Sequence, residues 1–162
     1  MHGRVSHELE VKQPASKVWE IYGTVELGNL VVQKLPNVAE KIEFDGDGGA
    51  GTVVTLTFPN GAGTYKEKFV AVDDEKRVKV TEVVEGGYLD LGFTSQRITL
   101  EIAEKEGGSC IIKSSVDYEI DDQNASKSSL VTTATLELFA QTVAKHLGES
   151  NAEMGSEDAR GE

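Results

Sequence analysis

The 162-residue sequence contains one cysteine, three prolines and few aromatic residues. A lone thiol excludes an internal disulfide and a four-cysteine zinc site, and Cys110 stands in an apolar run typical of a buried, unreactive thiol. The three histidines are scattered between the two ends, so their spacing predicts no metal site. No apolar run approaches the ~20 residues of a membrane-spanning helix, and the first residues lack the apolar core of a signal peptide. We therefore expect a cytoplasmic protein.

Basic residues are scarce as well. The sequence has 16 Lys and Arg against 28 Asp and Glu, which gives a formal net charge of -12. Nucleic acids and anionic membranes both require basic surfaces, so the charge argues against either as a partner. Part of the acidity lies after residue 147, where the sequence is polar and lacks periodicity. We expect one domain over residues 1–147 and a flexible acidic tail over residues 148–162.

Hydrophobic periodicity predicts short helices and many strands. A strand over Val5–Lys12 precedes a helix that begins after Pro14, and a second short helix covers Glu26–Leu35. Six further segments have the two-residue period of strands and are separated by short turns rich in Gly, Asn and Asp. They are Val38–Phe44, Thr52–Phe58, Tyr65–Val72, Arg77–Val84, Tyr88–Ile102 and Cys110–Ile120. Such short connections cannot carry parallel crossovers, so the sheet is expected to be antiparallel.

The last predicted element is a long helix over about Asp122–Leu147. Its apolar residues form two rows, one of Leu130, Ala134 and Leu138 and one of Phe139, Val143 and Leu147. The order of elements predicts an α+β domain in which a curved, seven-stranded antiparallel sheet wraps around this helix. Because few bulky aromatic residues are available to fill the space, we also expect an internal hydrophobic cavity for a small molecule.

The glycine-rich segment Gly46–Thr52 is the first candidate for a binding motif. It lacks the Lys-Ser/Thr pair of a phosphate-binding loop, and a strand rather than a helix follows it. A tight hairpin turn is the better interpretation. No cofactor is expected.

Tyr65, Glu67 and Phe69 form a more informative pattern, because side chains two residues apart share one face of a strand. The next predicted strand brings Lys79 close to Glu67, across the hairpin. The alternation of this strand is ambiguous, since Val78, Val80 and Val84 could face inward instead of Lys79. Glu67 and Lys79 are therefore either a surface ion pair worth at most ~1 kcal/mol or two buried groups with shifted pKa values.

Three segments, 46–52, 65–69 and 84–92, resemble the norcoclaurine synthase-like branch of the plant pathogenesis-related, Bet v I-type superfamily. The resemblance covers essentially residues 1–147. It implies a helix-grip fold with a deep tunnel and, in the synthases, a Pictet–Spengler condensation of dopamine with 4-hydroxyphenylacetaldehyde. No cofactor takes part in that reaction.

The resemblance also implies roles for individual residues. Lys79 would bind the aldehyde oxygen and assist iminium formation, Glu67 would remove the ring proton, and Tyr65 would position the substrate at the tunnel mouth. The residues expected to contact the substrate are Phe69, Tyr88, Leu91, Phe93, Gln96 and Ile98. Partners would be a small amine and an aldehyde, or another aromatic ligand, with the protein a monomer or weak dimer.

Two positions depart from the norcoclaurine synthases, which have an aspartate in place of Ile98 and an aromatic residue in place of Gln96. Norbelladine synthases, which join tyramine to 3,4-dihydroxybenzaldehyde, resemble this sequence and also have isoleucine there. The alternatives are therefore a norbelladine-type imine condensation, and a carrier of phenolics or plant hormones without catalysis. A regulatory role of the acidic tail is a third hypothesis, supported by charge alone.

Overall fold

The computed structural model describes the backbone of residues 1–160 and the side chains of residues 1–149. Seven strands form one sheet in the order β1-β7-β6-β5-β4-β3-β2, and every neighbouring pair is antiparallel. The strands are β1 (His2–Val11), β2 (Lys41–Asp45), β3 (Val53–Thr57), β4 (Thr64–Asp73), β5 (Val78–Glu85), β6 (Phe93–Lys105) and β7 (Ser109–Ile120). From β2 onward each strand pairs with the next along the chain, as the short turns predict.

The two predicted short helices are present as α1 (Ala15–Tyr22) and α2 (Glu26–Lys34). Helices of this length are unstable alone and depend on packing. The apolar residues of α1 are buried in the main core, and the Trp19 indole Nε1 donates a hydrogen bond to Asp74 Oδ1 at 2.9 Å. This bond holds α1 against the β4–β5 turn.

The glycine-rich segment Gly46–Thr52 forms the predicted turn between β2 and β3. Gly46, Gly48 and Gly51 all have positive φ, which side chains disfavour. The Gly48 amide donates to Thr52 Oγ1 at 2.9 Å, and the Gly49 amide donates to the Asp47 carboxylate. These amides are therefore used within the turn itself.

The predicted strand Tyr88–Ile102 is wrong over its first residues. Gly87–Leu91 is a short 3₁₀ helix, and β6 begins only at Phe93. Glycines with positive φ stand on both sides, with Gly86 at 76° and Gly92 at 97°. These left-handed residues interrupt the extended backbone, which alternation alone does not reveal.

The carboxyl-terminal helix begins twelve residues later than predicted. Asp122–Leu130 is a 3₁₀ segment, and α3 spans Ala134–Arg160. The residues between them, 131–133, are all β-branched and lower helix propensity. Thr132 Oγ1 accepts a hydrogen bond from the Ala134 amide, and the Thr133 carbonyl accepts the first bond of the helix, from the Glu137 amide.

The apolar face of α3 is also different from the predicted one. Leu130 and Leu138 are exposed, at 50% and 38%, whereas Leu136, Ala140 and Val143 are buried. The prediction that Leu130, Ala134 and Leu138 form one buried row is therefore wrong. Leu130 ends the 3₁₀ segment before α3, and Ala134 and Leu138 lie on the side of α3 that faces solvent. The second row packs against the core through Phe139, Val143 and Leu147.

Most side chains of the predicted acidic tail, residues 148–162, lie outside the described part of the chain. The backbone of α3 extends into it as far as Arg160, and its flexibility stays a prediction. Within the described residues, no helix is both long enough and apolar enough to cross a membrane.

Candidate active site

A cavity of about 560 Å³ lies inside the fold, against the inner face of the sheet. Its walls come from α2, strands β2 to β7 and the first turns of α3. Most lining side chains are aliphatic or aromatic, such as Leu27, Leu56 and Phe139. An internal cavity of this size and character suits a small aromatic molecule.

Strand β4 places Tyr65, Glu67 and Phe69 on one face, as their spacing predicts, and this face forms part of the cavity wall. Lys66 and Lys68 lie on the opposite face of the strand, where Lys66 pairs with Glu85. Two register irregularities interrupt the β4–β5 ladder, one before Glu67 and one after Phe69. Such irregularities re-aim side chains next to functional sites.

The neighbouring strand β5 turns Lys79 and Thr81 toward the cavity, and both are almost fully buried, at 3% and 2% exposure. Val83 is buried on the same face, whereas Val84 is exposed. The ambiguity of the β5 alternation is therefore decided in favour of an inward Lys79. The alternative of a surface ion pair between Glu67 and Lys79 is wrong.

The Lys79 ammonium has two close contacts. Nζ donates a hydrogen bond of 3.0 Å to the Tyr22 carbonyl and lies 4.0 Å from the centre of the Phe69 ring. Tyr22 is the last residue of α1, so the ammonium lies at a helix carboxyl end, where carbonyls lack helical partners. Burial lowers the pKa of Lys79 to about 8, and the nearby Glu67 carboxylate opposes that shift.

The Glu67 carboxyl responds to burial in the opposite sense. Desolvation raises its pKa, while the Lys79 charge and a hydrogen bond from Tyr65 hold the rise back. That hydrogen bond runs from Tyr65 Oη to Glu67 Oε2 over 3.2 Å. Burial also raises the pKa of Tyr65 well above its usual value, so the phenol remains a neutral donor.

The site thus combines a cation with a lowered pKa and an acid with a raised pKa in one water-poor cavity. Their pKa values approach neutrality from opposite sides, which suits both groups to proton transfer. Lys79 can donate a hydrogen bond to a carbonyl oxygen, and Glu67 can accept a proton. This pairing is typical of addition chemistry at a carbonyl.

Five of the six predicted substrate contacts line the cavity. They are Phe69, Tyr88, Leu91, Gln96 and Ile98. Phe93 is placed differently, because its ring is buried between Tyr88, at 5.1 Å between centroids, and Tyr118, at 5.7 Å. We therefore assign Phe93 to the support behind Tyr88 and not to the cavity surface.

Several lining residues were not among the predicted site residues. Thr81 follows Lys79 by two residues, and the shared strand face was a signal for it. Thr135, Leu136 and Phe139 also line the cavity. Phe139 belongs to the second predicted apolar row of the helix, whereas Thr135 and Leu136 belong to neither row, so the periodicity offered no signal for them.

The pathogenesis-related protein Bet v 1 family model matches residues 1–150. The chain belongs to the Bet v 1 family. This confirms the fold class inferred from the order of elements and the resemblance stated on three short segments.

Two relatives from this family illustrate the similarity. A norbelladine synthase from Narcissus pseudonarcissus is 45% identical over 151 residues, which cover 91% of this chain and 93% of that protein. An S-norcoclaurine synthase from Thalictrum flavum subsp. glaucum is 37% identical over 157 residues, which cover 95% of this chain and 75% of that protein. The norcoclaurine synthase branch is therefore supported over nearly the whole chain.

Solved structures of norcoclaurine synthase have the same fold as this chain. A point mutant of Thalictrum flavum norcoclaurine synthase in complex with a transition-state analogue superposes with a TM-score of 0.86 at 37% identity, over 93% of this chain and 97% of that one. The same enzyme with dopamine and hydroxybenzaldehyde gives a TM-score of 0.84 at 38% identity, over 92% of this chain and 88% of that one.

Proposed function

We propose that this Bet v 1 family member condenses an arylethylamine with an aromatic aldehyde inside its cavity. The observation that carries the proposal is the enclosure of the Lys79 ammonium and the Glu67 carboxyl in one apolar cavity, with pKa values shifted toward neutrality. The similarity to norbelladine and norcoclaurine synthases supports the same class of reaction.

The first stage forms a carbon–nitrogen bond. The aldehyde oxygen accepts a hydrogen bond from Lys79 Nζ, and the neutral amine nitrogen attacks the polarised carbonyl carbon. The carbon–oxygen bond then breaks, and the oxygen leaves as water with the two protons that the amine nitrogen gives up. The product is an imine, or an iminium ion once that nitrogen is protonated.

The second stage closes a ring when the aromatic ring of the amine is sufficiently electron-rich. A ring carbon attacks the iminium carbon, a carbon–carbon bond forms, and the ring carbon releases its proton to the Glu67 carboxylate. Tyr65, hydrogen-bonded to Glu67, orients that carboxylate. This is a Pictet–Spengler condensation of the kind that dopamine undergoes with an aldehyde.

A second candidate product is the imine itself, released before ring closure. Ile98 favours it, because an apolar side chain stands on the cavity wall where the resemblance leads us to expect an aspartate. Without that carboxylate, residue 98 offers no negative charge to hold the amine for cyclisation. The 45% identity to a norbelladine synthase supports this alternative.

The test is to incubate the protein with dopamine plus 4-hydroxyphenylacetaldehyde and, separately, with tyramine plus 3,4-dihydroxybenzaldehyde. Chiral chromatography detects the cyclised product, and borohydride reduction followed by mass spectrometry detects the imine. We expect Lys79→Met and Glu67→Ala each to lose about 10²- to 10⁴-fold in the rate of ring closure. A racemic product at the buffer rate, unchanged by both substitutions, would refute the proposal.

A carrier of phenolics or hormones is the remaining alternative, and the predominantly apolar wall of the cavity favours it. Equilibrium binding of an apolar fluorescent probe distinguishes it from an enzyme. Tight binding that is insensitive to Lys79→Met, without turnover of any amine and aldehyde pair, would support the carrier.

The same proposal places the protein in the cytoplasm, as a monomer or weak dimer without nucleic-acid or membrane partners. The formal net charge of -12 supports the absence of nucleic-acid and membrane partners, because anionic surfaces repel the protein.

A further inference from the structure

Gln96 presents an amide to the cavity, and no group within residues 1–149 forms a hydrogen bond with it. The side chain is half-buried on β6 and belongs to the cavity wall. Three other polar side chains of the wall already have partners: Tyr65 bonds to Glu67, Lys79 to the Tyr22 carbonyl and Tyr88 to the Leu130 carbonyl. The Thr81 hydroxyl also lacks a partner among the described residues, but it is fully buried on β5. The half-buried Gln96 amide remains within reach of water, and a ligand group that replaces this water gains a net hydrogen bond.

The strand register places Gln96 level with Glu67, across the width of the sheet. Glu67 pairs with Val83, and Gln96 lies one residue beyond the last β5–β6 pair, Glu82 with Arg97. Glu67 and Gln96 are therefore on the same level of the sheet, two strands apart, with backbones separated by roughly 10 Å. Val83 stands between them on β5 and is buried on the same face, so a ring that contacts both side chains lies over Val83.

Gly87 keeps the approach to the Gln96 amide open. A Cβ atom at this glycine would lie 3.9 Å from Gln96 Oε1, 3.9 Å from Tyr65 Cδ2 and 3.8 Å from Val83 Cγ1. Any larger side chain would occupy the space between Tyr65 and Gln96. The positive φ of Gly87, 57°, independently favours glycine.

We propose that Gln96 is a specificity-determining residue that hydrogen-bonds a phenolic hydroxyl of the bound substrate, so that the cavity selects hydroxylated rings. An amide both donates and accepts, which matches a phenol, and its neutrality gives no preference for an ammonium group. The inference rests on the proposed function for the identity of the ring. The hydroxyl belongs either to the arylethylamine or to the aldehyde, and the experiment separates the two.

The experiment has an amine arm and an aldehyde arm. The first compares kcat/KM for tyramine and phenethylamine with one fixed aldehyde, and the second compares 4-hydroxybenzaldehyde and benzaldehyde with one fixed amine. In the wild-type protein we expect the hydroxylated substrate to be preferred about tenfold or more in one arm, and Gln96→Leu to reduce that preference to about one. The arm in which Gln96→Leu removes the preference identifies which substrate, amine or aldehyde, carries the hydroxyl that Gln96 binds.

Gln141→Leu is the matched control, because Gln141 is exposed on α3 and outside the cavity wall. It should keep the wild-type preference. A preference that survives Gln96→Leu in both arms, with native thermal stability, would overturn the inference, and so would a wild-type protein without preference in either arm.

Binding measurements separate this inference from the proposed function. Titration calorimetry with tyramine, phenethylamine and the two aldehydes, each added alone, requires no turnover. If no condensation occurs but Gln96→Leu abolishes the binding preference for hydroxylated ligands, the proposed reaction is wrong and the role of Gln96 stands. If condensation occurs but neither the rate nor the binding preference responds to Gln96→Leu, the proposed reaction stands and the role of Gln96 is wrong.

Discussion

Lys79 illustrates how one residue can be unfavourable for stability and useful for chemistry. Its ammonium is removed from water, and within residues 1–149 the groups that compensate it are the Tyr22 carbonyl, the Phe69 ring and the nearby Glu67 charge. The lowered pKa measures the part of the desolvation cost that these contacts leave uncompensated. A residue retained at such a cost is expected to act on a substrate, as strained or desolvated active sites commonly do.

We predict that Lys79→Met stabilises the protein at pH 7. The pKa falls from the usual 10.5 to about 8 on folding, which corresponds to about 3 kcal/mol, less about 1 kcal/mol for the unpaired Tyr22 carbonyl. The cost of the charge is fully present below pH 8 and disappears as pH rises toward 10.5, because the folded protein loses its proton first. The advantage of the variant should therefore shrink over that range.

Urea denaturation between pH 6.5 and 10 measures this difference. Lys68→Met, on the solvent face of β4, is the matched control and should change the free energy of unfolding by no more than about 0.5 kcal/mol. A Lys79→Met protein that is less stable at pH 7 would contradict the prediction.

The pH dependence of condensation should be bell-shaped once each enzymatic rate is divided by the buffer rate at the same pH. Glu67 must be ionised, so the acid limb has its midpoint above the usual 4.5 of a glutamate. Lys79 must be protonated, so activity declines above a pKa of about 8. Residual activity of Lys79→Met should lack the alkaline limb; retention of that limb would assign it to another group.

At the scale of elements, the first turn of α3 connects the fold to the site. The helix begins at Ala134 rather than Asp122, and its packing against the rest of the fold turns Leu136 and Phe139 toward the cavity while Leu138 faces solvent. Successive helical positions are offset by about 100°, so the sequence period shows which residues share a face. Contacts with the other elements decide which face is buried.

We predict that Leu136→Ala and Leu138→Ala differ strongly in stability, although the substitution is identical. Leu136 is 8% exposed and Leu138 is 38% exposed. Leu136→Ala should cost about 2 kcal/mol, at the low end for buried leucines because one side already faces an empty cavity, and Leu138→Ala about 0.5 kcal/mol or less. Thermal and urea denaturation measure the loss in free energy of unfolding for each variant. Equal losses would indicate that Leu138 is buried as deeply as Leu136, contrary to the structure.

At the scale of the whole molecule, the fold leaves about 560 Å³ unfilled inside a 162-residue chain. An apolar cavity of this size forgoes packing contacts that a solid core would have. A ligand that occupies it recovers part of that free energy and binds the folded chain alone. Stability should therefore depend on the ligand concentration.

We predict that 4-hydroxyphenylethanol, which resembles tyramine but cannot form an imine, stabilises the protein. At a hundred times its Kd the gain is about 2.7 kcal/mol, or an increase in Tm of roughly 5–10 °C. Differential scanning fluorimetry measures the shift, with glucose at the same concentration as the control. A Tm that does not respond to the phenol would argue that the cavity is closed to such ligands.

Sequence patterns alone determined the antiparallel sheet, the two short helices and the shared strand face of Tyr65, Glu67 and Phe69, because these follow from local periodicity and short turns. The tertiary structure decided the direction of Lys79, the 3₁₀ helix before β6, the core position of Phe93 and the start of α3. Those features depend on neighbouring strands, left-handed glycines and contacts between residues distant along the chain. A two-residue period places side chains on two faces, but only the packing of the other elements determines which face encloses the cavity.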